Sequence, residues 1–216
     1  MLMCAYHIQC IRLISVHIFY DFFVKKGDEP FSERLPKDIM PLTYDAFIQP
    51  YFPSSAHYDW TKNMTFDSTI NVTMRVITAT DKVNISVHRL LIQPTDIHLA
   101  DMTGATLEYS KVIKDYDNGV MTIYLRNQLP VDSVFYLFIK SVGYIFYGAS
   151  EGAYTNFGIF EFNGKMAWIF STDDESGPDI RSVWPCFDEP YFKANWTVTI
   201  KHASDMIALC NMINTG

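Results

Sequence analysis

The sequence predicts an all-β fold built from sandwiched or curved antiparallel sheets. Three observations carry this prediction. Several segments alternate apolar and polar residues, which is the period of a half-buried strand. Asn-Gly pairs separate apolar runs, as in tight hairpins. No stretch after residue 31 keeps the 3.6-residue period of an amphipathic helix, so helices contribute little to the predicted body of the protein.

The predicted strands follow one another along the chain. Residues 44–48 form a short first strand, and residues 65–76 form the clearest one, with apolar side chains on one parity and Thr, Asp, Asn and Arg on the other. The same alternation returns at residues 83–88 and 195–200, and residues 133–140 are rich in Val, Phe, Tyr and Ile. Eight or more strands are expected.

Two dipeptides mark predicted hairpin turns. Asn118-Gly119 precedes an apolar run, and Asn163-Gly164 divides two others. Asn-Gly tolerates the positive φ angles that a type I′ turn requires, so each pair is expected to join two antiparallel neighbours.

The N-terminal part is predicted as a leader over residues 1–30, separate from a β domain over residues 31–216, with residues 31–41 as an extended lead-in. Residues 1–24 are apolar but interrupted by His, Gln, Arg and Asp, so no run approaches the roughly 20 apolar residues of a membrane-spanning helix. The alternatives for this leader are a short helix packed on the surface, an irregular segment, and a degenerate signal or anchor.

Composition sets the broad class. The chain has 216 residues, 49% of them hydrophobic and 15% aromatic, which suits a globular domain with its own core. The net charge is −7, from 17 Lys and Arg against 24 Asp and Glu. With no run of basic residues longer than two, the sequence predicts no nucleic-acid partner. The four cysteines form no CxxC pair and leave the redox compartment open.

Asn-x-Ser/Thr triplets indicate the compartment better than cysteine does. They begin at Asn63, Asn71, Asn84 and Asn195, more often than one or two chance occurrences would give. The last three asparagines take the polar parity of predicted strands. We therefore expect a glycosylated protein of the secretory pathway, outside the cell or on the outer face of the plasma membrane; the alternative is ordinary surface Asn beside strand-favouring Thr.

Catalytic motifs are absent from the sequence itself. It contains no HExxH, no Gly-x-Ser-x-Gly and no glycine-rich phosphate loop, and the two closest histidines are ten residues apart. No catalytic residue and no metal ligand is therefore predicted in this chain, and no cofactor of its own. The most site-like stretch is the acidic run at residues 173–175, which would bind a cation, a ligand amine or nothing if it is only a solvated turn.

Residues 184–200, WPCFDEPYFKANWTVTI, carry a family resemblance. They closely resemble the signature of the zinc aminopeptidases typified by aminopeptidase N, in which an Arg precedes PCFDEP and FKA follows it. The remaining landmarks agree in order over about residues 33–213, including residues 87–90 and the glycine- and tyrosine-rich stretch 143–158. The matching motif positions are Arg181, Pro185, Cys186, Phe187, Asp188, Glu189, Pro190 and Lys193.

The resemblance implies a saddle-shaped N-terminal domain of β-sheets that packs on a separate zinc-dependent catalytic domain. The family's GxMEN and HExxH motifs lie in that other domain, so zinc is implied for full-length relatives only, and the 216 residues alone are expected to be inactive. The family also implies that an acidic or amide side chain, located before the Arg of the motif, binds the substrate α-amine. Counted back from Arg181 without a gap, that position is Ser176, and a one-residue insertion brings Glu175 into it. Glu175 is the best candidate, with loss of the site as the competing interpretation; Asp188 and Glu189 are expected to be structural.

The function that follows is a non-catalytic domain that caps the active site of an aminopeptidase N-like metallopeptidase and helps to anchor peptides with a free N-terminus. The alternative is a stand-alone decoy or binding module for peptides or for a full-length homologous aminopeptidase. A generic secreted adhesion domain ranks below both, because the PCFDEP match would then be accidental.

Overall fold

A computed structural model describes residues 2–3, 34–53, 57–147, 152–162, 165–173 and 180–209. The described residues contain strands and three short 3₁₀ turns but no α-helix, which confirms the all-β prediction. The strands are β1 (Leu2–Met3), β2 (Ile39–Tyr51), β3 (Thr65–Val76), β4 (Thr80–Ser86), β5 (Ile97–Asp101), β6 (Tyr109–Asp115), β7 (Val120–Leu129), β8 (Val134–Tyr144), β9 (Phe146–Tyr147), β10 (Gly152–Phe162), β11 (Lys165–Asp173) and β12 (Asn195–Ile200). The 3₁₀ turns span Trp60–Lys62, Pro94–Asp96 and Ile180–Ser182.

The largest sheet has six strands in the order β1-β12-β2-β3-β8-β5. Its centre, β3, alternates as the sequence predicts, with every second residue from Phe66 to Val76 buried. Inward-facing residues of β2 and β8 pair with those of β3, for example Ala46 with Ile70 and Ile70 with Ile139. One face of this sheet therefore forms an apolar layer that is interrupted by the buried, hydrogen-bonded pair Ser68 and Ser141.

The first predicted strand, residues 44–48, is longer in the structure. It runs over Ile39–Tyr51 and includes Pro41 and Pro50, with a register shift between Pro41 and Thr43. Only residues 43–48 pair with β12 as well as with β3. Both prolines thus lie outside the doubly paired stretch, where a missing N–H does not interrupt a ladder on both sides.

One neighbour in the large sheet is parallel, which differs from the antiparallel expectation. β12 runs parallel to β2, from Asn195 beside Thr43 to Ile200 beside Ile48. A parallel neighbour needs a long crossover connection, and here the chain builds most of the domain between the two strands. The other pairs of this sheet are antiparallel.

The second sheet has the order β4-β7-β6, all antiparallel. Asn118-Gly119 lies between β6 and β7, so the predicted hairpin at this pair is confirmed. Its turn spans residues 116–119, and Gly119 has φ of 60° but Asn118 has no positive φ, so the turn is not the expected type I′ turn. The third sheet, β11-β10-β9, contains the antiparallel pair β10 and β11, with Phe162 opposite Lys165. The predicted turn at Asn163-Gly164 itself lies outside the described residues, between these two strands.

A single apolar cluster joins the first two sheets. It takes inward residues of β2, β3, β5 and β8 from one sheet and of β4 and β7 from the other, together with apolar residues between 183 and 192. Phe66 lies on Gly143, where a Cβ would come within 2.0 Å of its ring. The close approach of β8 to the Phe66 ring therefore depends on a residue with no side chain.

Most of the predicted leader lies outside the described residues. Leu2–Met3 alone is described, as the two-residue strand β1 that pairs antiparallel with residues 199 and 200 of β12. The described residues contain no helix of the length and apolar character that a membrane crossing needs.

Candidate functional site

The resemblance motif forms a loop that connects the acidic run to β12. It begins with the 3₁₀ turn Ile180–Ser182 and continues through a buried stretch from Val183 to Phe187. Because these residues are in no strand, their backbone polar groups need other partners. Those partners come from the large sheet and from the second sheet, β4-β7-β6.

Cys186 ties the loop to the second sheet. Its N–H donates to the Ser86 carbonyl at 3.1 Å, and the Ser86 N–H donates to the Cys186 carbonyl at 2.9 Å. The His88 N–H donates to the Arg181 carbonyl at 2.9 Å. Ser86 follows the polar parity of β4 and is nonetheless buried, since the motif loop covers it.

Side-chain hydrogen bonds tie the same loop to the large sheet. The Trp184 indole N–H donates to the Phe47 carbonyl at 3.0 Å, and the Phe187 N–H donates to the Tyr44 hydroxyl at 3.1 Å. Burial raises the pKa of Tyr44 above its ordinary value, so the phenol stays neutral. The loop therefore connects the two sheets that share the core.

Arg181 and Asp188 close the loop with a nearly buried ion pair. Arg181 Nε lies 2.7 Å from Asp188 Oδ2, and its Nη2 donates to the Asp188 carbonyl at 3.2 Å. The side chains are 10% and 21% exposed. At such burial each charge needs the other, because an unpaired ion there is costly.

Glu189 connects the loop to the start of the domain. It accepts a hydrogen bond from the Leu35 N–H, and its other oxygen lies 3.8 Å from Arg34 Nη1. Arg34 is 85% exposed, so the backbone bond is the stronger link. Pro190 and Lys193, by contrast, are exposed. Asp188 and Glu189 thus connect this loop to Arg181 and to the Leu35 backbone.

The predicted amine-binding residue, Glu175, lies outside the described residues. Its flanks are described: β11 ends at Asp173, which pairs with Gly152, and the next described residue is Ile180, directly before Arg181. Both ends of this segment are therefore attached to hydrogen-bonded structure. The predicted role of Glu175 remains a prediction.

The four asparagines of the Asn-x-Ser/Thr triplets lie at different kinds of position. Asn71 and Asn195 are on the outward parity of the large sheet, and Asn195 is exposed. Asn84 Oδ1 accepts a hydrogen bond from Thr122 Oγ1 at 2.7 Å in the second sheet. Asn63 ends the 3₁₀ turn before β3.

A polar cluster that sequence reasoning missed lies at the other end of the β2–β3 pair. Asp67 Oδ2 accepts from Lys62 Nζ at 2.6 Å and from the Tyr51 hydroxyl at 2.7 Å. Burial alone would raise the pKa of Asp67, but these two donors hold it below its ordinary value. The hydrogen bond to Asp67 likewise raises the pKa of Lys62. The sequence offered two signals for this cluster: Asp67 has the outward parity of β3, and Lys62 lies five residues before it.

The described part of the chain contains no group of three or more His, Cys, Asp or Glu side chains arranged to hold a metal ion. These described residues therefore do not fit a zinc ion. What the arrangement does provide is a rigid loop that spans two sheets and leads out of an acidic segment.

Comparison with known proteins places this architecture. Residues 40–215 match the family described as Peptidase M1 N-terminal domain. The protein named "Putative aminopeptidase-2" of Caenorhabditis elegans is 36% identical over 202 residues, covering 90% of this chain and 11% of that protein. The aminopeptidase N of Haemonchus contortus is 30% identical over 185 residues, covering 84% of this chain and 18% of that protein. The aminopeptidase N of Canis lupus familiaris is 25% identical over 194 residues, covering 85% and 18%.

The chain thus spans between about a tenth and a fifth of the length of these relatives. The match covers the motif loop and the strands from β2 to β12, apart from Ile39. The chain belongs to the M1 peptidase family, as its N-terminal domain.

Proposed function

We propose that this domain caps the active site of an aminopeptidase N-like enzyme and presents Glu175 to the α-amine of a peptide with a free N-terminus. The observation that carries the proposal is the fixation of Arg181. Its guanidinium is hydrogen-bonded to Asp188 within the motif loop, and its carbonyl accepts a hydrogen bond from the His88 N–H, which follows β4. Arg181 lies only six residues after Glu175. A segment attached at such a point and at the end of β11 is suited to positioning one side chain.

A carboxylate is the appropriate group for this task. An ammonium donates short, charge-assisted hydrogen bonds to it, and an anchor at a fixed distance from the scissile bond counts one residue from the peptide end. We assign hydrolysis itself to another part of the full-length enzyme, where zinc would be bound, because these 216 residues contain no HExxH motif. The triplets at Asn63, Asn71, Asn84 and Asn195 support a location outside the cell or on the outer face of the plasma membrane.

A chimera tests the proposal. Residues 34–209 replace the aligned segment of the Haemonchus contortus aminopeptidase N, and the chimera is assayed with aminoacyl substrates. Glu175→Ala should raise KM at least about tenfold, the equivalent of ~1.4 kcal/mol of lost amine binding, while Asp174→Ala, the matched control, leaves KM unchanged.

Equal kinetics for the Glu175→Ala and parent chimeras would remove Glu175 from the proposal. An inactive chimera would be checked by binding of a labelled dipeptide to the 216-residue chain, where Glu175→Gln should weaken binding. Release of amino acids by the 216-residue chain, stopped by a chelator, would contradict the assignment of hydrolysis to another domain.

A second candidate function is a binding module for a full-length homologous aminopeptidase. Exposed apolar side chains in the motif loop and after β12 favour it: Tyr191 in the loop is 49% exposed, and Ile207 and Leu209 after β12 are 70% and 62% exposed. Such side chains suit a protein contact. Co-precipitation of the chain with a purified full-length homologue, lost on Ile207→Ser with Leu209→Ser, would support this function; a monomer with no affinity for the homologue would exclude it.

A further inference from the structure

The turn that enters β3 carries an exposed aromatic pair beside an Asn-x-Thr triplet. Trp60 is the most exposed tryptophan among the described residues, at 71%, and it begins the 3₁₀ turn that Asn63 ends. In a 3₁₀ helix, side chains three residues apart are eclipsed. Trp60 and Asn63 are therefore presented on the same side of the turn.

Tyr58 joins these two side chains. Its ring is stacked on Trp60, with centroids 6.3 Å apart and an angle of 11° between the planes. Its hydroxyl donates a hydrogen bond to Asn63 Oδ1 at 2.8 Å. One polar contact and one stacked contact thus place the Asn63 amide beside two nearly parallel, stacked aromatic rings.

The hydrogen bond fixes how the Asn63 amide is turned. Oδ1 is held by Tyr58, whereas Nδ2 donates no hydrogen bond within the described residues. When an asparagine is N-glycosylated, Oδ1 remains a carbonyl acceptor and Nδ2 carries the sugar. The Tyr58 bond is therefore compatible with a glycan, because it leaves Nδ2 available for the first sugar.

From these contacts we propose that Asn63 carries an N-linked glycan whose first N-acetylglucosamine packs on the Tyr58–Trp60 ring pair. The apolar C–H face of a pyranose complements the negative face of an aromatic ring. The sugar would cover a tryptophan that the protein leaves open to solvent. This inference goes beyond the capping function and does not depend on it.

The Tyr58–Trp60 ring pair is attached to a 3₁₀ turn that is itself held by hydrogen bonds. Lys62 Nζ contacts Asp67 at 2.6 Å, and Thr65 Oγ1 donates to the Lys62 carbonyl at 2.6 Å. Asp59 Oδ1 accepts from the Thr61 N–H at 2.9 Å at the start of the turn. The rings therefore lose little freedom when a sugar packs on them.

The triplets at Asn84 and Asn195 lack this combination. Asn84 Oδ1 accepts from a threonine in the second sheet. In the Asn195 triplet the aromatic residue, Trp196, stacks on Tyr44 with centroids 4.0 Å apart and so faces away from the Asn195 parity. Asn195 is accordingly the matched reference site.

The modification is an ordinary group transfer. A lipid-pyrophosphate-linked oligosaccharide is the donor: a bond forms between Asn63 Nδ2 and C1 of the first sugar as Nδ2 loses one proton. The C1–O bond to the pyrophosphate breaks, and the lipid pyrophosphate leaves with that electron pair. Transfer takes place on the secretory route, and the folded turn then determines where the sugar lies.

The experiment uses the 216-residue chain secreted from a human cell line behind a signal peptide. Site occupancy is read by peptide mass spectrometry, and glycan release from the native protein by peptide N-glycosidase is followed at each site. We expect Asn63 to be occupied and its glycan to be released about tenfold more slowly than that of Asn195, a difference that corresponds to ~1.4 kcal/mol of packing. Trp60→Ala should bring the Asn63 rate to that of Asn195, and Trp60→Phe should keep it slow.

Three outcomes would overturn the proposal: an unmodified Asn63, equal release rates at the two sites in the parent chain, or slow release that persists in Trp60→Ala. Release after heat denaturation, where both sites should react alike, controls for the sequence preference of the glycosidase. Because Trp60 is exposed, its replacement leaves the core intact.

Discussion

The Tyr44 hydroxyl accepts a hydrogen bond from the Phe187 N–H at 3.1 Å, joining residues 143 positions apart in the chain. Tyr44 lies in β2, and Phe187 lies in the motif loop that also pairs with Ser86 of the second sheet. One phenol thus satisfies a buried backbone donor at the place where both sheets meet.

Tyr44→Phe should lower the free energy of unfolding by about 1–3 kcal/mol, since the Phe187 N–H is left buried without this acceptor. Urea denaturation followed by fluorescence measures the change. Tyr109→Phe, which removes a hydroxyl bonded to the Pro94 carbonyl at a more exposed position, is the control and should cost less than about 1 kcal/mol. Equal losses in the two variants would contradict this prediction.

Arg181→Ala should cost about 3–5 kcal/mol, because it leaves the Asp188 carboxylate largely buried without its cation. The same measurement on Asp188→Ala and on the double variant completes a cycle, and the double variant should be more stable than the sum of the single losses implies. Arg34→Ala removes an exposed charge 3.8 Å from Glu189 and should change stability by less than about 1 kcal/mol. Strict additivity between positions 181 and 188 would show that the pair is not coupled.

Gly143→Ala should destabilise the domain by about 1–3 kcal/mol or prevent its folding, because the new Cβ would lie 2.0 Å from the Phe66 ring. Gly104→Ala provides a contrast: no atom lies within 4 Å of the added Cβ, but φ is +85°. Its cost should be about 1 kcal/mol, from backbone strain alone. Thermal unfolding of the two variants compares packing with strain, and a smaller loss at position 143 than at 104 would be the contrary result.

Stability at low pH should depend on Asp67. The hydrogen bonds from Lys62 and Tyr51 lower the pKa of Asp67 in the folded state, so its contribution is present above the unfolded pKa of about 4 and is lost as pH falls through the folded pKa. Asp67→Asn removes this dependence. Urea midpoints measured between about pH 2 and pH 6 should therefore fall more steeply for the parent chain than for Asp67→Asn; parallel curves would refute the assignment.

The alternation of apolar and polar residues predicted which segments form strands. It did not predict how far a strand extends or which strand it pairs with. The length of β2 could not be read from Pro41 and Pro50, since proline is acceptable only because β12 stops short of both positions. The parallel arrangement of β12 was equally hidden: its alternation says which face is buried, not which neighbour it has.

The candidate site shows the same division. The residues of the motif loop were found from their order in the sequence, but their partners Tyr44, Ser86 and Leu35 lie about 100 or more residues away and carry no local signal. The Tyr51–Lys62–Asp67 cluster also depends on the turn that brings these side chains together. The role of Glu175 is a matter for the chimera experiment.

The parallel neighbour of β2 has a consequence for synthesis of the protein. β2 is complete by residue 51, but the strand that covers its second edge begins at residue 195. During translation the ribosome must therefore add roughly 150 residues while that edge stays open, and non-local pairing of this kind is slow and prone to aggregation. The second edge of β2 is closed last, so a nascent chain that stalls before Asn195 should be a substrate for chaperones rather than a nearly native domain.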